Sequence, residues 1–248
     1  MRLLILALLF LSPGAVFAAD LKILTAGAYK GAAAELSKKY EQKTGNKVTI
    51  ENGTAGQIQK RVAEGEYFDI VVLPPLAMAS LVGSRVDESS GKVLARVGIG
   101  VGVKAGTTPG PDISDVDAFK KSLLAAKAVA YIDPAAGGSS GIYLAKLFEK
   151  LGIADQMKAK TVLVPGGLVA ERLLNGQADI ALQQKSEILA VPGVTLVGPL
   201  PLEVQHFTAY SGGVSVGSRN RAAADALLLE LADPNNLPAI KKFGLDEP

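Results

Sequence analysis

Short continuous apolar runs alternate along the chain with patterns that place apolar residues three and four apart, which predicts strands alternating with helices. The first strand covers Leu21–Leu24 and closes through Thr25 into the turn Ala26-Gly27-Ala28-Tyr29-Lys30-Gly31. The next helix sets Ala33, Leu36 and Tyr40 on one face and Lys38, Lys39 and Glu41 on the other. It stops at Thr44-Gly45-Asn46, where a glycine can take the left-handed conformation that ends helices. A second strand, Lys47–Glu51, opens into Asn52-Gly53-Thr54-Ala55-Gly56, and a helix follows through Ile58 and Val62. Phe68–Leu73 is apolar almost throughout and breaks at Pro74-Pro75. Such a strand is expected to be buried on both faces, as in a parallel sheet.

The run Arg96–Val103 differs, because glycine occupies every second position from Gly98 to Gly102. That leaves one strand face bare, which suits a crossing between two lobes or a close backbone approach. A second α/β series follows: a helix over 114–126, a strand Ala128–Tyr131, a helix over 141–151, a strand Thr161–Val164, a helix through Val169, Leu173 and Leu174, and a strand Asp179–Leu182. Phe207–Val216 reads as the return crossing, and helices at Arg221–Leu231 and after Asn236 finish the chain. The expected fold is α/β with two lobes, mostly parallel sheets with helices on both faces, and two extended crossings. Lobe I takes residues 19–97 plus 209–248, and lobe II takes 98–208.

The first residues change where such a fold works. Met1-Arg2 is followed by the apolar run Leu3–Leu11, the breaker Ser12-Pro13 and the small-residue stretch ending Ala18-Ala19. Nine apolar residues at about 1.5 Å each cannot cross ~30 Å of hydrocarbon, so residues 1–18 read as a cleavable secretory signal peptide and the mature protein as periplasmic. The formal net charge of +2, or +1 without Arg2, gives no case for nucleic acid. The absence of cysteine removes thiol chemistry, and one histidine makes a zinc site improbable, so neither a metal nor another cofactor is expected.

Candidate chemistry resides in four small-residue turns between strand and helix: Ala26–Lys30, Asn52–Gly56, Gly137–Gly141 and Pro165–Gly167. The first N–H groups of a helix lack intrahelical partners and carry the positive end of its dipole, so an oxyanion is favoured above such a turn. A serine there, such as Ser139 or Ser140, caps its helix as readily as it meets a ligand. In open α/β sheets ligands sit beyond the carboxyl ends of the strands, so turns from both lobes are expected to converge on one cleft. The Gly137–Gly141 turn lacks the lysine of a P-loop.

The order of these features carries a resemblance. Thr25-Ala26-Gly27-Ala28, then Asn52-Gly53-Thr54-Ala55-Gly56-Gln57-Ile58 with Gly65-Glu66-Tyr67-Phe68-Asp69-Ile70, then Asp133-Pro134 with Gly138-Ser139-Ser140-Gly141-Ile142-Tyr143, and finally Asn175-Gly176-Gln177-Ala178-Asp179-Ile180-Ala181 follow one another. The chain resembles, over roughly 20–245, the periplasmic molybdate-binding-protein-like family, the type II substrate-binding proteins of ABC importers. The resemblance implies ligand contacts at Ala28, Thr54, Ser139, Ser140, Leu168, Val169 and Gln184. Molybdate binders of this family have serine where this chain has Ala28 and Thr54, and tyrosine where it has Gln184. Losing a hydroxyl and a tyrosine removes donors that a buried dianion needs, at about 1–3 kcal/mol for each unmade bond, which disfavours molybdate.

Tyr29, Lys30, Arg172, Gln183, Gln184, Lys185 and His206 fall in or near the turns, and this spread of amides, hydroxyls and cations suits an organic carboxylate better than a compact inorganic ion. The reading is a monomeric periplasmic solute-binding protein that closes two lobes on a small anion and presents it to the membrane component of an ABC importer. The alternative, also implied by the resemblance, is a periplasmic isomerase of an unsaturated tricarboxylic acid, of the aconitate isomerase type. For it His206 and Lys185 are the catalytic candidates, with Tyr29 and Glu187 as possible partners.

Overall fold

The computed structural model describes residues 18–248, so the leader read at 1–18 lies almost wholly outside the described residues. In chain order the elements are β1 Asp20–Ala26, α1 Lys30–Thr44, β2 Lys47–Gly53, α2 Ala55–Ala63, β3 Ile70–Leu73, α3 Pro75–Ala79, β4 Lys92–Lys104, α4 Val116–Ala125, β5 Val129–Ile132, α5 Ser139–Lys150, α6 Ala154–Lys158, β6 Thr161–Val164, α7 Glu171–Leu174, β7 Ile180–Gln184, α8 Lys185–Leu189, β8 Val194–Pro199, β9 Phe207–Val214, α9 Arg221–Leu231 and α10 Leu237–Lys241. Gly45, at φ 75°, ends α1 in the left-handed conformation and donates its N–H to Glu41.

The strands form one curled sheet in the order β2-β1-β3-β9-β4-β7-β5-β6, with β8 alongside β4. β1, β2 and β3 are parallel, as are β5, β6 and β7, while β9 and β4 run antiparallel to their neighbours. β4 is the long crossing. Its first part, Lys92–Gly98, pairs with β9, and from Ile99 onward it pairs with β7 and β8. Buried apolar residues follow the same division: one cluster draws on 21–97 and 210–245, and two more on 99–204.

Glycine alternation in β4 makes room for a helix. A Cβ at Gly102 would stand 2.9 Å from Ile188, and one at Gly100 would stand 2.7 Å from Leu196 and 3.2 Å from Lys185. The bare face therefore receives α8, with side chains of the adjacent strand β8 leaning over it, and neither element was announced by an apolar period of its own. α3 and α6, five residues each, are short for the same kind of recognition. Among the described residues, no helix is long and apolar enough to cross a membrane.

Candidate functional site

A cleft of ≈ 760 Å³ lies between the two halves at the carboxyl ends of β1, β2, β5 and β7. The first half contributes Ala26 to Ala28, Lys30, Asn52 and Thr54, and the second contributes Gly138 to Ser140, Leu168, Gln184 and Glu187. Ile132, the last residue of β5, forces glycine into the turn after it: a Cβ at Gly141 would lie 2.0 Å from the Ile132 carbonyl oxygen, and one at Gly138 would lie 2.3 Å from its side chain. This close approach sets the start of α5 directly over the strand end.

Two long helices present their N-termini here without side-chain caps. Gly138 before α5 has no side chain to cap it, so the first-turn N–H groups of α5 are left to a ligand. α1 instead continues from the 3-10 turn Gly27–Tyr29, and its Lys30 N–H is already donated to the Gly27 carbonyl. α2 is closed differently. Thr54 accepts from the Gln57 N–H, the Gln57 side chain accepts from the Thr54 N–H, and the Thr54 hydroxyl donates across the cleft to the Ala136 carbonyl. The two halves also meet where the Gly56 N–H donates to the Gly137 carbonyl at 3.1 Å and Gln57 Nε2 donates to the Pro165 carbonyl at 3.0 Å.

The opposite wall is built by α8 and β9 and carries acid–base chemistry. Glu187 opens onto the cleft but is surrounded by protein, and burial pushes its carboxyl up to about 8. Tyr210 of β9 is buried in the same wall, and its phenol is pushed above the ordinary tyrosine value first by burial and then by the nearby Glu187 charge. Gln184 donates to Thr208 Oγ1 at 3.0 Å and to Ser139 Oγ at 3.3 Å, while its amide oxygen has no protein partner. Hydroxyls accept as readily as they donate, so either orientation of this amide is held and either leaves one polar end for a ligand. Ser186 Oγ is likewise buried without a partner.

Residues 21–246 match the family of bacterial extracellular solute-binding proteins. The chain belongs to that family. It is 36% identical, over 232 residues, to a Pseudomonas sp. protein named aconitate isomerase, an alignment covering 91% of this chain and 87% of that one. In fold it is similar to the Azotobacter vinelandii periplasmic molybdate-binding protein, with a TM-score of 0.77, 18% identity, and 92% and 99% of the two chains covered. The substrate-binding domain of a putative molybdenum ABC transporter from Clostridium difficile gives a TM-score of 0.67 at 20% identity, covering 93% and 100%. Identities this low speak for the fold, which is the type II periplasmic-binding-protein architecture.

In this family member Ala28, Lys30, Thr54, Ser139, Ser140, Leu168 and Gln184 all line the cleft. Six other residues that the sequence suggested are placed elsewhere, and Arg172 is one that does not line the cleft. Tyr29 is fully buried in the first-half core with its hydroxyl 3.4 Å from the Leu231 carbonyl, because the turn after β1 rotates it inward. Val169 is buried, and its N–H donates to Gln183 Oε1 at 2.8 Å, so that donor is already used. Gln183 also donates to the Gly167 carbonyl at 2.9 Å, making it a staple for the Pro165–Gly167 turn.

Lys185 turns away from the cleft to pair with Asp246 at 3.2 Å. His206 stacks on Tyr143 with ring centroids 4.5 Å apart, and burial holds its imidazole below the ordinary histidine value. It lines no part of the cleft, so its proposed role as a catalytic base has no geometric support. Sequence reasoning missed Tyr210, Ser186, Glu171, Lys242 and Phe243 as cleft residues. Alternation along Phe207–Val216 places Tyr210 on the same face as Thr208, a signal that could have found it.

Proposed function

We propose that this protein isomerises an unsaturated tricarboxylic acid in the periplasm, moving one proton along an allylic carbon frame, with cis- and trans-aconitate the first pair to test. The observation that carries this reading is the place of Glu187, a carboxyl that lines the anion cleft and lies against Gly27 of the opposite half, where its half-buried setting pushes its pKa up to about 8. A carboxyl that titrates near neutral pH can take a proton and return it.

The balance of the step is simple. Ionised Glu187 removes a proton from the CH₂ that lies between a carboxylate and the C=C bond. The electron pair delocalises over the allylic frame and the adjacent carboxylate, and Glu187 returns the proton to the other end, so the double bond shifts and no net atom is gained or lost. The first-turn N–H groups of α5 and the turn Gly27-Ala28, with Lys30 and Lys242 on the rim, face the carboxylates and the charge that develops on them. The identity to the Pseudomonas protein named aconitate isomerase supports the same reading.

The second reading is a binding protein that closes on an organic anion and presents it to an importer. The contacts between the halves at Thr54, Gly56 and Gln57 favour it, since they form a closed state that a ligand could stabilise. Incubation of the mature protein with trans-aconitate, followed by proton NMR for the cis isomer, separates the two. Turnover in the wild type that is lost in Glu187→Gln is the expected result. No turnover at high protein concentration, with a ligand-induced rise in Tm retained, overturns the isomerase and leaves the binder.

A further inference from the structure

Glu187 sits on α8, a helix of five residues, which is too short to hold its own shape without packing. One side of α8 rests on the bare face of β4, where Ile188 meets Gly102. On the other side runs the C-terminal turn. Gly244, at φ 74°, bends the chain back after α10, and its backbone lies so close to α8 that a Cβ would stand 2.8 Å from Leu189 and 3.4 Å from both the Lys185 side chain and the Ser186 nitrogen. The turn is itself anchored. Phe243 packs on Gly31 of α1, Leu245 is fully buried, and Asp246 exchanges backbone hydrogen bonds with Arg96 of β4 at 2.8 and 3.0 Å. Asp246 also pairs with Lys185, the first residue of α8.

We infer that the C-terminal turn Phe243–Asp246 is a positioning strap that presses α8 against β4 and thereby fixes Glu187 over the cleft. Asp246 and Gly244 touch no cleft surface themselves and act through α8, whereas Phe243 and its neighbour Lys242 also form part of the cleft wall. The strap joins the end of the chain, packed in the first half, to a helix that follows β7 in the second. Its catalytic consequence rests on the proposed role of Glu187, but its structural claim does not.

The test is the titration of Glu187 in the full mature protein, read by NMR of ¹³C-labelled glutamate side chains and assigned with Glu187→Gln. The titratable groups that share the cleft are Lys30, Glu171, Tyr210 and Lys242, and Lys185 and Asp246 flank α8, so variants leave the first four intact. In Gly244→Ala, α8 is displaced and water reaches the carboxyl, so the midpoint falls toward the ordinary glutamate value. With aconitate as substrate, kcat falls about tenfold or more with a shifted pH profile and KM within about threefold. Asp246→Asn keeps the backbone bridge to Arg96 and gives a smaller shift of the same sign; it decides the matter if Gly244→Ala does not fold. A Glu187 midpoint and pH profile unchanged in both folded variants overturn the strap. If the wild type shows no isomerase activity, the enzymatic reading fails while the titration still tests the strap.

Discussion

Gly27 and Glu187 occupy one space at the base of the cleft: a Cβ on Gly27 would stand 2.5 Å from Glu187 Oε1. The absence of a side chain at residue 27 is what lets the acid lie against the first-half backbone, beside the 3-10 turn that leads into α1. Gly27→Ala is expected to push the carboxyl away and lower kcat on aconitate by about a hundredfold, since small misplacements of a reacting group are costly. The fold loses little, because the neighbour that must move is the end of a side chain. Steady-state kinetics beside a thermal melt check both halves of this expectation.

Burial of Glu187 also gives stability a pH dependence of unusual sign. Its carboxyl is raised from 4.5 to about 8 on folding, first by desolvation, so the folded state binds the proton more tightly than the unfolded chain. This contribution is fully present below about pH 4.5 and is lost as pH rises through about 8. Melts of wild type and Glu187→Gln across that window are expected to converge at low pH and to separate as pH rises, with the glutamine variant the more stable at pH 8. Parallel curves would show that Glu187 is not desolvated.

Much of the fold was legible because its strands and long helices each carry a full period. β3 is apolar throughout, α1 has a clean stripe ending at Gly45, and the β4 glycines marked a crossing before any partner was known. The site was legible only where a turn joins strand to helix, since Ser139, Ser140, Thr54 and Lys30 inherit their position from such turns. α8 has too few residues to show a period, and its environment is set by β4 and the C-terminal turn, both distant in sequence. The sequence therefore marks Glu187 only as a possible partner of His206 and Lys185. His206 failed for the converse reason: being the only histidine says nothing about where it packs, and it packs on Tyr143.

Closure of the halves is testable at Gly56, whose N–H donates to Gly137. A Cβ there would lie 2.9 Å from the Gly137 Cα, a backbone atom that cannot move aside unless the halves separate. The same substitution improves α2, because alanine in a helix is favoured over glycine by up to about 1 kcal/mol. Gly56→Ala should leave the Tm of the free protein equal or higher while raising the Kd of its carboxylate ligand about tenfold, an effect of about 1.4 kcal/mol. Calorimetric titration with the isomer that gives the larger thermal shift measures it, and unchanged affinity would argue that this contact is incidental to closure.

Asp69 looked like part of a family signature but acts as a structural hub. Its side chain is fully buried, and it accepts from the Lys22 N–H at 2.8 Å, the Tyr67 hydroxyl at 2.7 Å and the Ser218 hydroxyl at 2.6 Å. These bonds tie the entry of β3 to β1 and to the turn between β9 and α9. Asp69→Ala leaves the Lys22 N–H without its partner in the interior and is expected to cost about 3 kcal/mol in urea unfolding. Asp69→Asn is expected to cost only about 1 kcal/mol, because the amide oxygen can take the Lys22 N–H while both hydroxyls turn to accept from the amide nitrogen. Equal losses in the two variants would mean that the negative charge, rather than the hydrogen-bond pattern, holds this junction.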